Sequence, residues 1–109
     1  MFSKINRLRS DQDFKRVFRN GRTLENQFFR IKFLMNYKNI NRFGFIVSNK
    51  ISKKATVRNN IKRRLRLICR PLTISKDNGF DVVVWPKTSS IKLKYIDFSN
   101  NIWDLIDKL

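Results

Sequence analysis

Apolar residues recur at helical spacing near the start of the chain: Phe14, Val17 and Phe18 fall at i, i+3 and i+4. Ser10 is a good N-cap, and Asp13 three positions on makes a weak capping box. Asp11 and Asp13 also suit the positive end of a helix. Asn20-Gly21 offers a stop that tolerates left-handed geometry. A first helix is predicted over Asp11–Arg19. From Phe28 to Asn36 the period falls to two. Phe29, Ile31, Phe33 and Met35 share a face that reads as core. Phe28, Arg30, Lys32 and Leu34 share the other, whose mixture of rings, aliphatics and cations is unusual for plain solvent exposure. A polar turn over Tyr37–Arg42 leads to a second strand, Arg42–Ser48, so the two strands are predicted to form a hairpin. Gly44 in the second marks a bulge or a close approach. Thr56–Arg70 is helical again, with Pro71 just past its end. Ser75–Gly79 reads as a loop. Asp81–Trp85 is a β-branched run predicted to be buried on both sides, and Pro86 ends it. The last helix, Lys94–Lys108, carries Phe98, Ile102, Leu105, Ile106 and Leu109 on one face. A helix joining two strands within the order α-β-β-α-β-α predicts an α+β sandwich on a mixed sheet.

Composition narrows the partners. The chain has 109 residues, enough for a single domain over 1–109 with a modest core. Residues 1–9 read as a mobile basic arm without the apolar stretch of a signal peptide. Ten Phe and 41% hydrophobic residues argue for a folded protein. Lys and Arg number 25 against 8 Asp and Glu, a net charge of +17, which costs stability by self-repulsion and favours a polyanionic partner. Nucleic acid leads. A membrane surface is disfavoured because the basic residues alternate with core-forming strands, and no apolar run approaches about 18 residues. The lone Cys69 excludes an internal disulfide and fits a reducing, cytoplasmic setting. It could be a reactive thiol near arginines, but reads better as a small hydrophobe beside Leu65 and Ile68.

The charge has a focus. On a helical wheel at about 100° per residue, Val57, Ile61, Leu65 and Ile68 form an apolar stripe, while Asn59, Lys62, Arg63, Arg66 and Arg70 share another sector. Lys50, Lys53 and Lys54 precede this helix, and Arg58 opens it. A solvated charged face is the bland alternative. Against it, no Asp or Glu lies between Asn26 and Lys76, so the cations repel one another until an outside polyanion neutralises them. Arginine forks suit phosphate in particular.

Unaided catalysis finds no support in the sequence. There is no histidine. Asp11 and Asp13 look like caps, and Asp97, Asp104 and Asp107 lie on the exposed side of the last helix. No acid spacing suggests a two-metal site, and no glycine-rich loop could cradle a phosphate. Helical spacing alone makes Phe14 and Phe18 core residues. If the first helix covers only part of the sheet, however, they border a groove with Phe28, Arg30 and Lys32, and rings beside cations form a stacking platform for single-stranded nucleic acid.

Val47-Ser48-x-Lys50, followed by Ala55-x-x-Arg58-Asn59-x-x-Lys62-Arg63-x-x-Arg66, resembles the signature of the protein subunit of bacterial ribonuclease P. The likeness extends to Leu8 through Gly21, to Asp81–Val84 with Lys87, and to Tyr95–Leu105. Asn60 stands where the family usually has a second arginine, Lys32 where some relatives carry an aromatic, and Trp85-Pro86 is unusual. The resemblance implies a two-layer α-β sandwich with a mixed, mostly antiparallel sheet of about four strands, three helices and a left-handed βαβ crossover. It also implies a division of labour in which an RNA performs metal-assisted hydrolysis that removes the 5′ leader of precursor transfer RNA. Lys50, Lys53, Lys54, Arg58, Asn59, Lys62, Arg63, Arg66 and Arg70 would bind that ribonuclease P RNA. Phe14, Phe18, Phe28, Arg30, Lys32 and Lys87 would line a cleft for the leader. Mg²⁺ would be bound mainly by RNA phosphates, and no protein partner would be required. The same composition would serve a ribosomal protein that only scaffolds ribosomal RNA; a third reading is a free-standing nuclease, which would cut RNA without any RNA partner. Maturation of a precursor by added ribonuclease P RNA separates the three.

Overall fold

The computed structural model describes residues 6–73 and 79–109. Residues 75–78 of the expected Ser75–Gly79 loop and the first five residues of the expected arm lie outside that range. Three helices and four strands follow in the order α1 (Asp11–Asn20), β1 (Arg22–Glu25), β2 (Phe29–Met35), β3 (Arg42–Phe45), α2 (Ala55–Cys69), β4 (Phe80–Pro86) and α3 (Tyr95–Ile106). The sheet order is β1-β2-β4-β3. β1 and β4 run antiparallel to β2, and β3 runs parallel to β4, its neighbour through the α2 crossover.

The expected hairpin between β2 and β3 does not form, because β4 lies between them. Val82, Val83 and Val84 are all 0% exposed. A strand apolar on both faces needs cover above and below and a ladder on each edge, and only the sheet centre supplies both. The sequence showed the double burial but not its consequence for strand order. β1 had no apolar alternation to announce it; it forms by pairing Arg22–Glu25 with Arg30–Phe33.

Register assigns the faces. Leu24, Phe29, Ile31, Phe43, Val82 and Val84 meet Leu65, Ile68 and Cys69 of α2 and Phe98, Ile102 and Leu105 of α3 in the larger core. Phe29 and Phe98 meet edge-on at 4.8 Å. Met35, expected on this face, is exposed, since the cover has run out at the strand end. The opposite face holds only a small cluster, in which Leu8, Val17 and Val83 pack with Phe14, Leu34, Ile46 and Trp85. α1 rests there.

Local chemistry explains how α1 is seated. Ser10 Oγ accepts from the Asp13 backbone N–H, the capping half of the predicted box, while the Asp13 carboxylate is taken by Arg16 and Arg42. Gly21 ends the helix, but with φ −76° rather than left-handed. Glycine is needed there for room: a Cβ would lie 2.4 Å from Val17 O and 2.9 Å from Phe33 O. Gly44 is the close approach its strand position suggested, since an added Cβ would fall 2.5 Å from Phe14 Cζ. Asn6–Arg9, placed by sequence in a mobile arm, are docked. Leu8 is buried, its N–H donates to Phe43 O at 3.0 Å, and Arg7 bridges to Phe43 in parallel.

Candidate nucleic-acid interface

α2 is anchored by Leu65, Ile68 and Cys69, all buried, with Ile61 packed beside them. Val57, on the predicted stripe, is 38% exposed in the first turn. The stripe fixes the roll of the helix, and the cations follow from it. Asn59, Arg63 and Arg70 are exposed, and Lys62 and Arg66 are half-buried. Lys50, Lys53 and Lys54 are exposed in the preceding loop. None of these cations meets a carboxylate among the described residues; the ion pairs there use Arg16, Arg30, Arg42 and Lys87. Arg58 differs. Its Nη1 donates to Ser52 O at 2.9 Å, so it braces the loop against the helix. Arg64, outside the predicted basic sector, lies 5.9 Å from the Tyr95 ring centroid and 5.6 Å from that of Phe98, a cation–π seat on α3.

On the other face, three rings stand in a row. Phe14 and Phe18 centroids are 6.1 Å apart, and Phe18 and Trp85 are 5.5 Å apart. Phe18 is 38% exposed, and Phe14 and Trp85 are half-buried, so the row is not closed core. Lys32 lies beside it, its Nζ donating to Phe18 O at 3.0 Å. Arg30 pairs across the ladder with Trp85. Phe28 does not join the groove. β2 begins at Phe29, so the two-residue alternation does not reach Phe28, whose ring packs against the larger core while its N–H is held by Asn26 Oδ1. Trp85 is the groove residue that sequence reasoning missed, because a run of valines masked the change of environment at the end of β4.

Two of the predicted cleft cations are tied down. Glu25 Oε2 accepts from Lys87 Nζ at 3.0 Å and from Arg30 Nε at 3.3 Å, and Lys87 also donates to Asn26 O at 2.7 Å. The hydrogen bond from Lys87, then that from Arg30, hold the Glu25 carboxyl below its ordinary range. Lys50 comes from the α2 loop to join Arg30, Trp85 and Lys87 around a depression of about 390 Å³. Residues that the sequence divided between two RNAs therefore share one site.

The family model for ribonuclease P matches residues 2–109. The chain is 34% identical to the ribonuclease P protein component of Caldanaerobacter subterraneus subsp. tengcongensis, covering 99% of this chain and 92% of that one. It is 37% identical to that of Thermotoga petrophila, over 99% and 89%. The chain belongs to the ribonuclease P protein family. Its fold matches the Thermotoga maritima RNase P protein solved in complex with 1-(4-fluorophenyl)-2-thiourea, with TM-score 0.84 and 31% identity over 94% of this chain and 99% of that one. It is therefore the protein component of an RNA-based endoribonuclease, part of the enzyme that processes transfer RNA 5′ ends, and it partners ribonuclease P RNA.

The acids of this ribonuclease P protein hold the groove together. Asp81, 1% exposed, accepts from Arg42 Nε at 2.7 Å and Nη2 at 2.6 Å, from Asn36 at 2.9 Å and from Arg16 at 3.2 Å. Burial alone would raise its pKa; hydrogen bonds from Arg42 and Asn36 and the Arg42 charge outweigh that and lower it. Asp81 hydrogen bonds push the Arg42 guanidinium pKa up. Arg16 carries the network into α1, so Asp81 fixes the groove wall. Burial pushes the Cys69 thiol far up, making it a packing residue rather than a nucleophile. Among the described residues no group of three or more His, Cys, Asp or Glu could hold a metal ion, and no helix is long and apolar enough to cross a membrane.

Proposed function

We propose that the outward edge of α2 and its preceding loop grip the catalytic RNA, and that the groove between α1 and the sheet holds the single-stranded 5′ leader of precursor transfer RNA. The observation that carries this is the row of Phe14, Phe18 and Trp85, partly open to solvent and flanked by Arg30, Lys32 and Lys87. Bases stack on such rings without regard to sequence, and cations beside them follow the backbone. The two RNAs repel each other, and a protein of charge +17 placed between them does what screening ions would otherwise do. Its contribution is therefore greatest at low salt and low Mg²⁺.

The hydrolysis belongs to the RNA. The carboxylates of the groove are already engaged by arginine and lysine, which favours Mg²⁺ held mainly by RNA phosphates. The polypeptide alone is inactive, needs no protein partner and works in the cytoplasm. A role in scaffolding ribosomal RNA has no support from the relatives, which are ribonuclease P protein components.

Crosslinking from a photoreactive leader nucleotide in the assembled enzyme tests the groove. Labels are expected on Phe14, Phe18 or the Arg30–Lys32 segment. Labels confined to α2 would refute it. The Lys62→Ala/Arg66→Ala pair tests the helix: protein–RNA affinity should fall and its salt dependence should flatten. Cleavage at the 5′ maturation site by pure protein would refute the division of labour.

A further inference from the structure

The outer side of α2 and α3, turned away from the sheet, carries an apolar patch that the functional reading above does not use. Leu67 and Tyr95 are each 53% exposed, Ile96 is 66% exposed and Trp103 is 38% exposed. They lie together. Ile96 and Trp103 are seven residues apart, on one side of α3. The Trp103 indole N–H donates to Ile68 O at 3.0 Å, which sets the ring beside Leu67 and takes up one of the last carbonyls of α2. Arg64 lies over the Tyr95 ring and joins the two helices at the start of α3. Single exposed apolar residues are ordinary, but a contiguous set that includes an indole and a phenol has the composition of an interface core.

The patch has a charged flank on each side, of opposite sign. Beyond Leu67 the α2 surface continues to Arg63 and Arg70, both exposed. Beyond Ile96 and Trp103 the α3 surface turns to Asp97 and Asp104, with Asp107 just past the helix end, all exposed. Asp13, Glu25 and Asp81 are each held by a cation of the chain, but these three acids meet none among the described residues. Asp104 and Asp107 also stand at the negative end of α3, which has no basic residue in its last turn, so an outside cation would stabilise them. That flank repels phosphate, which rules against RNA as the occupant. We propose that the occupant is a second copy of this chain, related by a two-fold axis running along the groove between α2 and α3. Rotation about that axis lays the Leu67 side of each copy on the Ile96–Trp103 side of the other. It also brings each Arg63–Arg70 flank onto the other copy's Asp97–Asp104 flank, so one patch is complementary to itself. The net charge of +17 opposes the approach, but salt at physiological strength screens it beyond about 8 Å and leaves the local pattern to decide. The patch falls short of the roughly 20–30 residues a side of a stable interface, so the pair is weak and forms at high protein concentration. Arg63 and Arg70 also belong to the edge proposed for RNA, so pairing is a property of the RNA-free protein.

Sedimentation equilibrium of the full chain, freed of RNA by nuclease and followed from micromolar to millimolar concentration in about 0.15 M salt, should show a monomer–dimer equilibrium. Leu67→Ser/Ile96→Ser removes apolar area without changing charge. It should weaken the dimer at least about tenfold, because each residue is buried twice in a two-fold contact. Thermal melts confirm that the variants fold. Asp104→Arg and Arg63→Glu each set like charges across both flanks, and each should be monomeric on its own. Mixed in equal amounts, they restore opposite charges at one flank and keep the wild-type pair at the other, so a heterodimer should form with about wild-type affinity. A wild-type chain that stays monomeric throughout the range, or a dimer indifferent to Leu67→Ser/Ile96→Ser, overturns the proposal. So does a mixture no more associated than its two components.

Discussion

The sheet face beneath α2 and α3 and the face beneath α1 are built from the same strands on opposite plans. The first is hydrocarbon throughout, with Phe29, Ile31, Val82 and Val84 all 0% exposed. The second carries Arg30, Lys32, Arg42 and Asp81 between Leu34, Val83 and Trp85. The difference follows from cover. α1 has ten residues, or about 15 Å of helix, against a seven-residue β2 of about 23 Å. A helix that short leaves part of the face open, and the uncovered positions are polar or aromatic. One face stabilises the fold. The other gives up burial to keep a groove, and holds it by ion pairs.

The sharpest way to break this contrast is to damage each face and ask what is lost. Phe98→Ala, under α3, should cost about 3–5 kcal/mol in chemical denaturation while the folded fraction keeps its RNA affinity. Loss of binding without loss of stability would invert the picture. On the groove face, Asp81→Ala leaves Arg42 half-buried with Asp13, 3.5 Å away, as its remaining carboxylate, at a cost of about 3 kcal/mol. Here leader affinity should fall as well, since Arg16 loses its tie to the sheet. The pH dependence has a definite sign. The folded Asp81 pKa lies below its ordinary 3.8, so its contribution is complete above that value and is lost as pH falls through the folded pKa. Wild-type stability should therefore fall at acid pH more steeply than that of Asp81→Ala.

Phe18→Ala sharpens the contrast from the functional side. The ring is 38% exposed, so melting should change little, while loss of a stacked base should weaken leader binding by about 1–3 kcal/mol. A large drop in stability with unchanged leader affinity would make Phe18 a core residue. The smallest effect is expected at Glu25, an exposed acid that engages two cleft cations. Glu25→Gln should release Arg30 and Lys87, strengthen precursor binding a few-fold and steepen its salt dependence. Weaker binding would mean that the acid positions these cations rather than competing for them.

Sequence reading succeeded where the signal is local. The α1 and α2 periods, the Ser10 cap, the buried β4 run and the crowding at Gly44 can each be read within one segment, because burial imposes its period on the residues themselves. The basic edge of α2 was legible for the same reason: once Leu65 and Ile68 face inward, the helix repeat places Lys62, Arg63 and Arg66. Long-range pairing decided the rest. Insertion of β4 between β2 and β3, formation of β1 from a segment with no period of its own, and docking of Asn6–Arg9 along β3 depend on partners distant in sequence. So do the exclusion of Phe28 from the groove, the addition of Trp85, and the meeting of Lys50 with Arg30 and Lys87. Period and charge are properties of one segment, and the sequence by itself determines them. Which segments share an edge, and which side chains are left in the gap a short helix cannot cover, is settled only when all the faces are buried at once.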